Sequence, residues 1–176
     1  MWAHCLAVVF GSSAVWSSCG RKRWKNAKRP GPAVHGDLGA HVDDHGGTRH
    51  DFIGAARGVN QVWVTDITEH PTREGKLYFC AAKATLSNRI VGYSAAPHMS
   101  SRLAVTTPNT AVAPRQINRR SVTGCIVHSD RGSRFRSRRY RRLLVRPGLK
   151  GSLGRATAGD DAAMESLFSL LQRQVS

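Results

Sequence analysis

Apolar positions along the chain fall into two kinds of pattern. Short, nearly continuous runs occur at Val62-Trp63-Val64, from Lys76 to Ala82, at Ile90-Val91 within Arg89–Tyr93, and at Cys125-Ile126-Val127. Runs this short and rich in β-branched residues read as strands, and continuous apolarity, in place of alternation, marks a strand covered on both faces. Glu74-Gly75 and Ser87-Asn88 punctuate the first three runs as turns. The short spacings make those three strands antiparallel hairpin neighbours. A fifth strand is expected over Leu149–Leu153.

Helical spacing takes over between and after these runs. Ser100-Ser101 caps a helix carrying Leu103, Ala104 and Val105, with Ala111 and Val112 further on. Pro108 falls in its interior, where a proline costs about 3 kcal/mol, so this helix is expected to be kinked or broken there. Pro114 to Val122 reads as a basic loop. Ser137 is placed as the N-cap of a short helix with Tyr140, Leu143 and Leu144 as its stripe, ended by Pro147-Gly148. After the Gly154–Gly159 segment, Asp160-Asp161 caps a last helix, on which Met164, Leu167, Phe168, Leu171 and Val175 share a face.

Three carboxylates interrupt this pattern. Asp66 is embedded in the first apolar run, and Asp130 stands just beyond the run that starts at Cys125, before the tight turn Arg131-Gly132-Ser133. Glu165 lies about 100° round from Met164, at the edge of the last helix's stripe. Each has an ordinary reading: a salt bridge for Asp66, a cap on the following helix for Asp130, a favourable helix-dipole position for Glu165. If strands one and four lie side by side in parallel, Asp66 and Asp130 converge at one edge and the last helix adds Glu165. Three acidic groups in one place repel one another unless divalent cations neutralise them. Mg²⁺ takes one or two protein carboxylates plus phosphate oxygens. Two such ions about 3.5–4 Å apart clamp the attacking and leaving oxygens of a phosphodiester displacement.

Charge points to the same partner. Across 176 residues, 27 Lys+Arg against 11 Asp+Glu give a formal net charge of +16. The excess is clustered: Arg21, Lys22, Arg23 and Lys25 form one run, and eight arginines, including Arg138, Arg139, Arg141 and Arg142, lie between Arg131 and Arg146. Such clusters imply a polyanionic partner, DNA first, bound through its phosphates. The four cysteines show no CxxC pairing, which suits reduced thiols and not a disulfide framework. His41 and His45 stand four apart, but no zinc-finger cysteine spacing accompanies them. The apolar run Cys5–Phe10 is too short to span a membrane, and its basic residues follow it in place of preceding it. No membrane partner and a cytoplasmic, nucleoid-associated location are therefore expected.

Several words of this sequence occur together in one family. Trp63-Val64-Thr65-Asp66-Ile67-Thr68, Glu74-Gly75-Lys76-Leu77-Tyr78, Ser87-Asn88-Arg89-Ile90-Val91-Gly92-Tyr93, His128-Ser129-Asp130-Arg131-Gly132-Ser133 and Ala162-Ala163-Met164-Glu165-Ser166 stand in the family's order. In these words the chain resembles the catalytic subunit of bacterial insertion-sequence transposases, in the retroviral-integrase superfamily. The resemblance implies an α/β, ribonuclease-H-like mixed five-stranded sheet flanked by helices. It implies Asp66, Asp130 and Glu165 as the catalytic, metal-ligating triad for Mg²⁺ or Mn²⁺. The reaction implied is nicking of DNA at the element ends, then joining of the freed 3′-hydroxyl to target DNA, by a chain that assembles with its own copies when active. The expected organisation is an irregular basic segment over 1–59 and an integrase-like core over 60–176, truncated at its C-terminal side.

The chain also departs from that family's pattern. The Asp130–Glu165 interval is slightly short, Ala84 stands in place of an Asp, Arg134 in place of Gln and Asp161 in place of Asn. No recognisable end-binding helix-turn-helix precedes the core, and the sequence stops directly after the last helix. A second expectation follows from these departures, a DNA-binding remnant of a transposase with weak or no catalysis.

Overall fold

A computed structural model describes residues 32–38, 40–42, 48–50, 56–154 and 164. Two short strands, β1 (Ala40–Val42) and β2 (Thr48–His50), pair antiparallel within the segment read from sequence as irregular. The main sheet contains β3 (Val62–Thr72), β4 (Gly75–Ala84), β5 (Ile90–Ala96), β6 (Ile126–Ser129) and β7 (Lys150–Leu153). Its five strands lie in the order β5-β4-β3-β6-β7. The hairpins β3–β4 and β4–β5 are antiparallel, while β3–β6 and β6–β7 are parallel. The mixed five-stranded sheet expected from sequence is thus the one observed.

The central strand is where the core begins. Trp63 is fully buried, and its face of the sheet packs with Cys80, Val127 and Leu153 against helices α1 (Ser101–Ile117) and α2 (Arg138–Val145). The opposite face carries Val62, Val64, Phe79 and Ala81, covered by the helical residue Met164. Two-sided cover explains why β3 reads as a continuous apolar run. The outer edge of β7 is masked by residues 32–38: Leu153 N–H donates to the Gly36 carbonyl (3.2 Å) and Leu38 N–H to Ser152 Oγ (2.8 Å). Cover of this kind keeps an edge strand from pairing with another chain.

Helix α1 corrects the sequence reading. It runs unbroken through Pro108 and Pro114, so the segment after Pro114 opens as helix and not as loop. A proline in this position forfeits one backbone hydrogen bond. Packing outweighs that loss, because Leu103, Ala104, Val105, Thr107, Pro108, Ala111 and Val112 are all buried against the sheet. The approach is close: a Cβ on Gly92 of β5 would lie 2.5 Å from the Thr107 carbonyl oxygen. Ser94 Oγ donates to the Leu103 carbonyl (2.8 Å), fixing the helix on the strand. Among the described residues no helix is long and apolar enough to cross a membrane.

His70, on β3, is 3% exposed, and neither ring nitrogen has a hydrogen-bond partner among the described residues. Burial lowers its pKa from 6.5. The unfolded chain therefore binds the proton first as pH falls, and stability that is complete above about pH 6.5 is lost as pH drops through the folded-state value. Urea unfolding at pH 7.5 and 5.0 should show lower stability in acid, and His70→Leu should flatten that dependence. An equal acid loss in the variant would clear His70 of responsibility.

Candidate active site

The parallel pairing of β3 with β6 sets the site. Its register matches Val62 with Ile126, Trp63 with Val127 and Val64 with His128. Two residues beyond the last of these pairs lie Asp66, within β3, and Asp130, the first residue after β6. Strands one and four of the core are parallel neighbours, the arrangement on which the sequence expectation for these two aspartates depends. By strand alternation Asp66 faces the same side as Val62, Val64 and the covering Met164. Asp66 is half-buried and Asp130 exposed.

Each carboxylate is held by its own backbone. Asp66 Oδ1 accepts from Ile67 N–H (2.7 Å), and Asp130 Oδ1 accepts from Gly132 N–H (2.9 Å). The second bond is an Asx turn, so Asp130 caps the turn at Gly132; the N-cap of α2 is Ser137, whose Oγ accepts from Tyr140 N–H (3.2 Å). The loop is closed by Arg136 N–H donating to the Gly132 carbonyl (3.2 Å). Its anchor is Phe135, buried edge-on against Tyr140 with ring centroids 5.4 Å apart.

On the opposite, helix-covered face lies Cys80, whose Sγ is 3.7 Å from Thr65 Oγ1. Burial first, and then the negative charges of Asp66 and Asp130, push its thiol up to about 12, against the lowering effect of Thr107 and Thr65. Cys80 is thus a protonated, inert floor. Lys83, opposite Val64 on β4, is also buried and lies on the Asp66 face. Burial lowers its pKa. The sequence reading passed over Lys83, although a lysine set in an alanine-rich strand was the available signal. It also took Gly132 for an ordinary turn residue.

Other expected site residues are less gathered. Arg138, Arg139, Arg141 and Arg142 are exposed on α2, while Tyr140 and Leu144 face the core. Glu165, and the run Arg21, Lys22, Arg23 and Lys25, lie outside the described residues; Met164, which precedes Glu165, is buried on the sheet face shared with Asp66. Among the described residues no three His, Cys, Asp or Glu side chains form a metal-binding group. Two adjacent carboxylates are nonetheless the hard oxygen donors a Mg²⁺ ion takes from protein when substrate phosphate completes its shell.

Gly132 is the hidden constraint on this pair. A Cβ there would come within 2.8 Å of Asp130 Oδ1. Since the clash falls on the end of a side chain, Gly132→Ala should leave the melting temperature nearly unchanged and move the carboxylate. Loss of such an orienting partner costs roughly 10–100-fold in metal affinity. Mn²⁺ titration by calorimetry checks this, and wild-type affinity in the variant would refute it.

Residues 56–158, more than half of the chain, match the family described as Integrase core domain. The transposase for insertion sequence element IS904 of Lactococcus lactis is 35% identical over 121 residues, 68% of this chain and 46% of that protein. Transposase InsF for insertion sequence IS3A of Escherichia coli is 36% identical over 118 residues, 66% of this chain and 40% of that protein. The chain therefore spans less than half the length of these curated relatives. In fold it is similar to a chain of the simian T-cell lymphotropic virus intasome, solved in complex with PP2A regulatory subunit B56 gamma. The TM-score is 0.54 at 15% identity, covering 80% of this chain and 45% of that one. Integrase core proteins use divalent metal. By sequence match and by its ribonuclease-H-like sheet, this chain belongs to the Integrase core domain family.

Proposed function

We propose that this chain is the catalytic core of a DNA transposase, a polynucleotidyl transferase that cuts element ends and joins their 3′-hydroxyls to target DNA. The observation that carries the reading is the parallel pairing of β3, which carries Asp66, with β6, which leads directly into Asp130. Two carboxylates carried by neighbouring strands suit divalent-metal phosphodiester chemistry. Family membership and the relatives' transposase names support the same choice.

In this reading Asp66 and Asp130 hold the metal ions, and Glu165 supplies the third carboxylate. Mg²⁺ or Mn²⁺ held by these residues would supply Lewis acidity at the phosphate. The reaction is an in-line displacement at phosphorus. Water forms the new P–O bond as the P–O3′ bond at the element end breaks, leaving a 3′-hydroxyl and a 5′-phosphate. The 3′-hydroxyl then gives up its proton, and its oxygen displaces a 3′-oxygen in target DNA. The chain's own work is to hold the phosphate in position, since a misplacement of about 1 Å costs on the order of 100-fold. The Asx turn at Gly132 and the Phe135 anchor serve that purpose on the Asp130 side. Duplex phosphates are gripped by Arg138, Arg139, Arg141 and Arg142, with Arg21, Lys22, Arg23 and Lys25 as a second strip. The proposed catalytic unit covers 60–176, with 1–59 as its basic lead-in, and works as an assembly of its own copies.

Purified chain incubated with Mg²⁺ or Mn²⁺ should nick supercoiled plasmid and oligonucleotide element ends. Asp66→Asn and Asp130→Asn should each remove several kcal/mol of transition-state stabilisation, roughly 10³-fold in rate. Nicking that survives both substitutions, or that needs no divalent ion, would sink the reading.

DNA binding is expected to be mostly sequence-independent. Each phosphate contact contributes about 0.9 to the slope of log K against log salt, so replacing the four α2 arginines by Ala should lower that slope by up to about 3.6. An unchanged slope would remove α2 from the DNA surface.

A further inference from the structure

The strands β3, β6 and β7 begin at the end of the sheet opposite Asp66 and Asp130, roughly 13 Å away along β3. Four connections gather at that pole: residues 56–61, 85–89, 117–124 and 145–150. Backbone and side-chain bonds tie them into one surface. Ile126 N–H donates to the Gln61 carbonyl (2.8 Å), Thr85 N–H to the Val62 carbonyl (3.2 Å) and Gly124 N–H to the Gly148 carbonyl (2.8 Å). Asn60 Nδ2 donates to the Ser121 carbonyl (3.4 Å), and Asn60 Oδ1 accepts from Arg115 Nε (2.7 Å).

These four segments carry Arg57, Arg89, Arg119, Arg120, Arg146 and Lys150, and no Asp or Glu. All six side chains are exposed. Cations at helix C-termini are ordinary, because the helix dipole favours them, and that accounts for Arg119 and Arg120 after α1 and Arg146 after α2. It does not account for Arg57 in the lead-in to β3, Arg89 just before β5, or Lys150 at the start of β7. Nor does it explain why Arg119 holds a left-handed φ of +52°, a position usually given to Gly or Asn. Six exposed cations on segments that carry no carboxylate of their own repel one another, and a polyanion relieves that repulsion.

We propose that this pole is a second duplex-DNA surface, contacting the phosphates of a duplex other than the one at the carboxylate edge, so that one copy of the chain holds two duplexes. The choice of DNA rests on the proposed function. The four segments contain no Phe, Tyr or Trp, so they offer no stacking platform for unpaired bases and suit a duplex backbone. A second copy of the chain docked pole to pole would set like charges face to face, since a two-fold contact pairs a patch with itself.

The test uses two short duplexes of arbitrary sequence, one carrying a donor dye and one an acceptor, mixed with the full chain. Energy transfer reports bridging, and a salt titration with one duplex reports the number of phosphate contacts. The variant Arg57→Gln/Arg89→Gln/Arg119→Gln/Arg120→Gln should abolish bridging, keep single-duplex binding, and lower the salt slope by up to about 3.6. If thermal melting shows that variant to be unfolded, Arg57→Gln/Arg89→Gln, which leaves both helix ends intact, should weaken bridging and lower the slope by up to about 1.8. Bridging and slope unchanged in the folded variant overturn the proposal. So does a wild-type chain that binds no duplex, or a pole that captures poly-glutamate while its loss leaves duplex binding untouched. Plasmid nicking separates the two readings. Nicking with bridging indifferent to the pole removes this inference alone. Pole-dependent bridging by a chain that never nicks removes the proposed function and leaves this inference standing.

Discussion

The constraint on which the rest depends is the parallel hydrogen-bonded register between β3 and β6. Val62, Trp63 and Val64 match Ile126, Val127 and His128, and the pairing is extended backward by Ile126 N–H on the Gln61 carbonyl. A slip of one residue would turn every side chain of β6 to the opposite face. Val127 would then leave the helix-covered core, and Asp130 would lose its place beside Asp66. Core packing and the relative placement of the two candidate acids thus depend on the same bonds.

Helix α1 is the crossover that makes this parallel pairing possible. It carries the chain from β5, at the far edge of the sheet, back toward β6. Its two prolines argue against helix on propensity alone. The helix persists because one face is sunk into the sheet, over Gly92, where a larger residue would strike the Thr107 carbonyl. Thr107 Oγ1, 2.8 Å from Ser94 Oγ, adds a buried polar tie between helix and strand. At the C-terminal end Arg115 stacks over Trp63, 5.0 Å from the ring centroid, and donates to the Ala111 carbonyl (2.7 Å). That contact joins the end of the crossover helix to the start of the central strand.

The charge of the chain is arranged around this frame and does not build it. Arginines on α2 alternate with Tyr140 and Leu144, so the same eight-residue helix packs inward and presents cations outward. At the opposite pole the cations stand on loops. On the sheet face that carries Asp66 the interior charge is Lys83, which is buried.

Much of this was legible in the residues taken in order. Continuous apolar runs marked β3, β4, β5 and β6 because central strands are covered on both sides, and Ser137 marked the start of α2 because its hydroxyl satisfies a free N–H there. Asp66 within one apolar run and Asp130 just after another were visible for the same reason: a charge beside apolar β-formers is conspicuous. The unbroken α1 was not legible, since local propensity at Pro108 says nothing of the burial that overrides it. The β1–β2 pair was missed because three-residue strands carry no usable periodicity. Gly132 looked like any turn glycine until Asp130 Oδ1 lay against it. Strand identity and the candidate acids are local properties, written in hydrophobic pattern and residue type. Which acids meet, which glycine protects them, and which scattered arginines share a pole follow from register and chain crossover, and these exist only once distant segments have paired.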